Sequence, residues 1–195
     1  MKRKYGEKMS NRTKLELEDA LKELLLKKPF HKITIKDLTD ACHISRMAFY
    51  YHFQDLYDLV EWVLIEDAKT ALDEKKDYAH WKQGLANIFE AVYANKPFIL
   101  NVYHDISRDQ IEKVLFKLVH ELIESVVEER SQNTSLTVEQ KDFIAYFYKY
   151  GFVGIMLDWI DHGMKEDYQF ILDDLEMTVL GTIDLSIKNF TMKEK

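Results

Sequence analysis

Two prolines, Pro29 and Pro97, and six glycines are all that punctuate a chain of 195 residues, so a helix once started meets few signals to stop. The intervening stretches repeat apolar residues at helical spacing. Leu17, Ala20, Leu21, Leu24 and Leu25 make one stripe, and Leu56, Leu59, Val60, Val63 and Leu64 make another. This pattern predicts an all-α chain of about nine helices. They fall near 13–27, two short ones within 33–53, then 55–76, 79–94, 97–106, 109–131, 137–163 and 167–191. The breaks are Pro29, Asn95-Lys96-Pro97, Ile106-Ser107-Arg108, Ser131 to Ser135, and His162-Gly163. Residues 1–12 read as a basic, non-periodic arm, either lying along a polyanion or frayed.

Hydrophobic residues make up 47% and charged residues 31%, which suits a packed chain with one large or two small domains. A single cysteine forms no internal disulfide and fits a reducing compartment. No run approaches the roughly 20 apolar residues of a membrane span, and the basic N-terminus lacks the apolar core of a signal peptide. The expected location is the cytoplasm.

The formal net charge of −7 looks unfavourable for binding a polyanion, but it is unevenly placed. Residues 1–53 hold 12 Lys and Arg against 7 Asp and Glu, whereas residues 54–195 hold 15 against 27. A basic head on an acidic body is the footprint expected of a nucleic-acid-facing domain, although solvated faces alone can also produce it.

Within the head, residues 33–53 read as two short helices joined by a tight turn. Thr34 is placed to cap the first, with Asp37 three residues on to favour its N-terminal dipole. Leu38, Ala41 and Cys42 share a face, His43 occupies the turn, and Ser45 is placed to cap the second helix. Ile44, Ala48, Phe49 and Phe53 point inward in this reading. Arg46, Met47, Tyr50, Tyr51 and His52 face out, giving fork donors for base edges and hydroxyls for phosphates.

From Lys27 to Val60 the sequence K-K-P-F-H-K-I-T-I-K-D-L-T-D-A-C-H-I-S-R-M-A-F-Y-Y-H-F-Q-D-L-Y-D-L-V resembles the DNA-binding domain of the TetR family of bacterial transcriptional regulators. The most specific piece is I-S-x-x-x-F-Y-Y-H-F, followed by an acidic residue and a leucine-rich helix. The run K-K-P-F-H-K-I-T-I-K-D-L is similar to a subgroup from low-GC Gram-positive bacteria that includes activators of dihydroxyacetone kinase operons. The resemblance implies a helix-turn-helix domain over residues 1–54 and a helical effector-binding and dimerisation domain over 55–195. It implies DNA contacts from Lys36, Ser45, Arg46, Met47, Ala48, Tyr50, Tyr51 and His52. Arg46 suits a guanine edge, Ala48 a thymine methyl, and Tyr50 and His52 phosphates, with Tyr51 able to do either. Tyr50 and His52 could instead buttress neighbouring helices.

Four positions depart from the family pattern. His43 stands where glycine is common, Met47 where a small residue is, Ala48 where threonine is, and Leu56 where a lysine is. The operator sequence therefore does not carry over.

In the body, 143–159 is apolar almost all round, with Gly151 and Gly154 open to close helix approach. Residues 170–190 repeat the theme. The resemblance implies that 137–163 and 167–191 pair with their symmetry mates as a homodimer, against the alternative that they pack within one chain. It also implies a small-molecule effector between helices of 60–160. Trp62, Tyr93, Phe98, Tyr103, Phe116, Phe147 and Tyr150 are the candidate walls, and each could equally be core.

An enzyme is not expected. His80, His104, His120 and His162 lie on separate helices, His120-Glu121 lacks the second histidine of a zinc-protease motif, and no phosphate-binding loop or nucleophile elbow occurs. A metal sensor built on His104 and Asp105 with His120 or His162 is the weaker alternative to solvated histidines, and no metal or cofactor is expected. Cys42 reads as a small core residue rather than a redox switch. Three functions follow: a ligand-responsive dimeric regulator, a DNA-binding regulator controlled by a protein partner, and an all-α enzyme or adaptor carrying a helix-turn-helix-like hairpin.

Overall fold

The computed structural model describes residues 2–72, 80–103, 105, 108–179 and 181–193, with side chains over 11–66, 80–103, 105, 111–179 and 181–192. Among these, the α-helices in order are α1 (Lys2–Leu25), α2 (Ile35–Ala41), α3 (Arg46–His52), α4 (Leu56–Leu72), α5 (Trp81–Ala94), α6 (Lys96–Tyr103), α7 (Arg108–Arg130), α8 (Val138–Asp161), α9 (Tyr168–Val179) and α10 (Thr182–Lys193). A single 3₁₀ turn, Phe30–Lys32, lies between α1 and α2. The chain is all-α, as its periodicity predicts.

Two boundaries differ from the sequence reading. The helical backbone of α1 begins at Lys2 rather than near residue 13, so the expected irregular arm is helical from its second residue. Lys, Arg, Glu and Met dominate that stretch and are good helix formers, and Arg12 pairs with Glu16 one turn on at 2.9 Å. The expected helix 167–191 is two helices, because Gly181 sits at φ 76° and breaks the ladder. An isolated glycine in an apolar run does not reveal beforehand whether it packs or turns.

The chain divides into two compact units. The first comprises 1–66 and 97–111, the second 67–96 and 112–195. In the first, Leu17, Leu21, Leu38, Phe49, Leu59 and Val63 are wholly buried and hold α1 to α4 around one core, with Phe30, Ile33 and Phe53 closing its edges. In the second, Leu85, Ile88, Phe89, Val119, Leu122, Val126, Ala145, Val153 and Met156 form the core between α5, α7 and α8. Bidentate Arg130–Asp184 bonds of 2.7 and 2.8 Å tie α7 to α10, and Lys82 holds Asp173 on α9 at 2.8 Å.

Candidate nucleic-acid interface

The geometry of α2 and α3 is set by four local devices. At the start of α2, Thr34 and Asp37 cap each other. The Thr34 hydroxyl accepts from the Asp37 amide at 3.2 Å, and the Asp37 carboxylate accepts from the Thr34 amide at 2.8 Å. Lys28 adds its ammonium to Asp37 at 2.7 Å. These bonds, the lysine first, hold the Asp37 carboxyl down at about 2.

At the end of α2 the chain reverses through His43, whose φ is 54°. The Ile44 amide donates to Thr39 O at 3.0 Å and the His43 amide to Asp40 O at 3.4 Å. This is the paired bonding of a Schellman stop, with histidine where glycine is usual. The departure seen in the sequence is thus a non-glycine residue in the left-handed region, at a cost of roughly 1–2 kcal/mol. Ser45 then caps α3 by accepting from the Ala48 amide at 3.1 Å.

The apolar face of α2 is not the one expected. Leu38 and Thr39 are buried, Cys42 is half-buried, and Ala41 is exposed. Thr39 tolerates burial because its hydroxyl donates to Lys36 O at 3.1 Å. Cys42 lies on the α1 side, where its thiol donates to Glu16 O at 3.3 Å. Burial, and then the Glu16 and Asp19 carboxylates, raise its pKa and favour the protonated thiol.

On α3, Phe49 is wholly buried and Phe53, just beyond the helix, is nearly so. These anchors leave Met47 and Tyr51 83% and 80% exposed and Tyr50 56% exposed, with Arg46 and Ser45 also on the surface. Lys36 is exposed on the first turn of α2. Ala48 and His52 are half-buried. Burial, helped by the Lys14 ammonium, lowers the His52 pKa and favours the neutral ring. Lys14 itself lies 5.5 Å from the Phe53 ring and 5.3 Å from Trp62, bracing α1 against α3 and α4. The start of α4 is acidic. Asp55 accepts from the Asp58 amide at 2.9 Å and Asp58 from the Gln54 amide at 2.8 Å.

The seven candidate effector residues divide between the two units. Trp62, Phe98 and Tyr103 belong to the first unit, where Trp62 packs 5.8 Å from Phe53 and Phe98 is buried. Tyr93, Phe116, Phe147 and Tyr150 belong to the second. Tyr93 stacks 6.1 Å from Trp159, while Phe116 meets Tyr150 at 4.6 Å under Lys149. Phe147 and Tyr150 line an open groove of about 790 Å³ on α8 to α10, together with Phe143, Tyr146, Gly151 and Ile155 among others. Phe143 and Tyr146 stand beside them on the groove, a grouping that an apolar run in the sequence does not reveal. A Cβ added at Gly151 or Gly154 would meet nothing within 4 Å.

Among the described residues, no three His, Cys, Asp or Glu side chains stand together as a metal set, and His104 lies outside them. His120 faces Asp142 at 3.2 Å, and His162 lies 2.8 Å from Asp158 O. No helix among the described residues is long and apolar enough to cross a membrane.

A capped helix pair with an outward Arg and Tyr face, ahead of a helical body, is the architecture of a helix-turn-helix regulator. Comparison with known proteins gives the family. Residues 17–63 match the model for bacterial regulatory proteins of the tetR family, and residues 79–181 match the transcriptional regulator C-terminal region of the TetR type. The chain belongs to the TetR family of bacterial regulators. A curated relative, the HTH-type dhaKLM operon transcriptional activator DhaS of Lactococcus lactis subsp. lactis (strain IL1403), is 25% identical over 84 residues. That match spans 43% of this chain and 45% of the relative, less than half of either.

Two solved structures share the fold. The dihydroxyacetone kinase operon activator DhaS matches 90% of this chain and 96% of its own with a TM-score of 0.64 at 20% identity. The TetR family repressor AlkX from Dietzia sp. strain DQ12-45-1b, implicated in biodegradation of n-alkanes, matches 89% and 96% with a TM-score of 0.56 at 13% identity.

Proposed function

We propose that this protein is a transcriptional regulator that binds a near-palindromic DNA operator as a homodimer and is controlled through its helical body. The observation that carries the reading is α3. Its inward side is fixed by buried Phe49, and its outward side presents Arg46, Met47, Tyr50 and Tyr51 to solvent. Arg46 reads a base edge, and Lys36, Ser45 and Tyr50 hold phosphates. Tyr51 serves either, Ala48 and Met47 offer apolar contact to thymine methyls, and His52 contributes a neutral N–H. In vitro selection from random duplexes tests this. The expected result is an enriched two-fold motif with half-sites one helical turn or a multiple of it apart. Recovery of no motif, or of asymmetric single-stranded sites alone, contradicts it.

Dimerisation through residues 137–163 and 167–191 is supported by the open apolar groove on α8 to α10. Phe143, Phe147 and Ile155 are exposed there, and Gly151 and Gly154 leave room for a second backbone. A symmetric C2 contact would cover this face and hold two heads at fixed separation. Sedimentation of the free protein at micromolar concentration checks it, and a monomer would contradict it.

The control input proposed is a small molecule, and a ligand that favours the non-binding conformation weakens operator affinity by its differential affinity for the two states. A protein partner is the second reading. Phe170 and Met177 on α9 present exposed apolar surface that such a partner would cover. A thermal-shift screen of metabolites, with hits tested for release of the selected duplex, separates the two. Hits that stabilise the protein and release DNA support the small molecule, and hits without effect on DNA support the partner. One relative is named an activator and one neighbour a repressor.

A further inference from the structure

We infer that Asn101 and Asp105, which lie in the sequence of the body, are positioning residues of the DNA-reading head. The inference rests on the reading of α3 as the DNA-contacting helix. It starts from a gap in the α1 ladder. After Leu25 the next turn would place residue 29 as donor to the Leu25 carbonyl, but that residue is Pro29, which has no N–H. The Asn101 side chain supplies the missing donor, its amide nitrogen reaching Leu25 O at 2.8 Å. The other end of the same carboxamide accepts from the Phe30 amide at 3.3 Å. One side chain thus satisfies a carbonyl at the helix end and an amide of the turn that follows it.

Four residues further on, Asp105 repeats the device. Its carboxylate accepts from the His31 amide at 3.0 Å and meets the His31 ring nitrogen at 3.0 Å. Asn101 and Asp105 act on adjacent residues, Phe30 and His31, of the α1–α2 connection. That connection leads through the 3₁₀ turn straight into Thr34, the cap of α2, so its position fixes the start of the helix pair.

The division of the chain agrees. Residues 97–111 belong to the same compact unit as the head, although the family match for the head ends at residue 63 and that for the C-terminal region covers 79–181. Meanwhile Lys96, the first residue of α6, is anchored in the second unit. Its ammonium donates to Met164 O at 2.8 Å and lies 5.5 Å from the Tyr93 ring.

The test uses the full chain and the duplex recovered by selection. Asn101→Leu keeps the volume and removes both bonds, and Asp105→Ala removes the second set. Ile123→Val, in the core of the other unit, is the control that lowers stability while leaving the connection intact. Amide exchange at Phe30 and His31 and operator affinity are measured at a temperature where all variants are folded. Asn101→Leu should speed exchange at Phe30 and lower operator affinity roughly three- to tenfold, because each neutral hydrogen bond lost is worth about that factor. Ile123→Val should leave affinity unchanged even where its unfolding midpoint drops as far. Unaltered exchange at Phe30, or freed exchange with unaltered affinity, overturns the inference while the parent still binds. Equal affinity losses in Asn101→Leu and Ile123→Val overturn it as well. A parent chain that binds no duplex overturns the DNA-binding reading together with it.

Discussion

Arg46 and His43 stand three residues apart and are governed by different physics. Arg46 stands free of the core on the first turn of α3, so its value lies in what it touches on DNA. Arg46→Ala should cost roughly 1–3 kcal/mol of operator affinity and relax the preference at one base per half-site, measured by binding to single-substituted duplexes. A uniform loss over all sequences would reassign it to a phosphate. His43, at φ 54°, pays for the turn with backbone strain. His43→Gly should raise stability by up to roughly 1 kcal/mol in chemical denaturation, and the selected motif should stay the same.

The exposed residues of α3 were legible in the sequence because caps and buried aromatics at helical spacing fix which way a short helix faces. The aromatics of the body were not. A count of rings does not distinguish Phe98, which is buried, from Phe147, which is 66% exposed on an open groove. Asn101 and Asp105 were invisible for another reason. Their partners lie 71 to 76 residues away, and no local period records such a pairing.

At the level of elements, the starts of helices were read more surely than their ends. Thr34, Ser45 and Asp55 cap as their positions suggest, and Thr137 with Gln140 forms the same reciprocal box at the start of α8. Caps are local, so sequence shows them. The stop at Gly181 and the helical backbone of 2–10 depend on whether neighbouring structure continues or ends a ladder, which a lone glycine or a run of lysines leaves open. The capping box of α2 also makes an element-level prediction about pH. The Asp37 carboxyl titrates at about 2 in the folded head, below its ordinary 3.8. The unfolded chain therefore binds the proton first, and the stabilisation is fully present above pH 3.8 and lost as pH falls toward 2. Asp37→Asn should flatten the acid unfolding profile of the head over that window. Thr34→Ala should cost roughly 1 kcal/mol at neutral pH by removing the partner oxygen. Equal acid sensitivity in Asp37→Asn and the parent would place the titrating group elsewhere.

For the whole molecule, charge is unevenly placed, with 12 Lys and Arg against 7 Asp and Glu in residues 1–53 and 15 against 27 in residues 54–195. If the open face of α8 to α10 is the self-contact, a charge placed in it should separate the copies. Phe147→Asp should shift the sedimenting species toward monomer and weaken operator binding far more than binding to a single half-site. A variant that stays dimeric would move the interface off this face. Across the molecule, the all-α class and the head were readable from local periodicity and caps, whereas the joining of 97–111 to the head arises from tertiary contact alone.

Whether α3 reads DNA sequence is decided by selection on random duplexes run in parallel with the parent chain and Arg46→Ala. The parent should yield a two-fold motif, and the variant the same spacing with one position per half-site gone from fixed to relaxed. Enrichment of the same motif by both chains at every position, or of none by the parent, would contradict it.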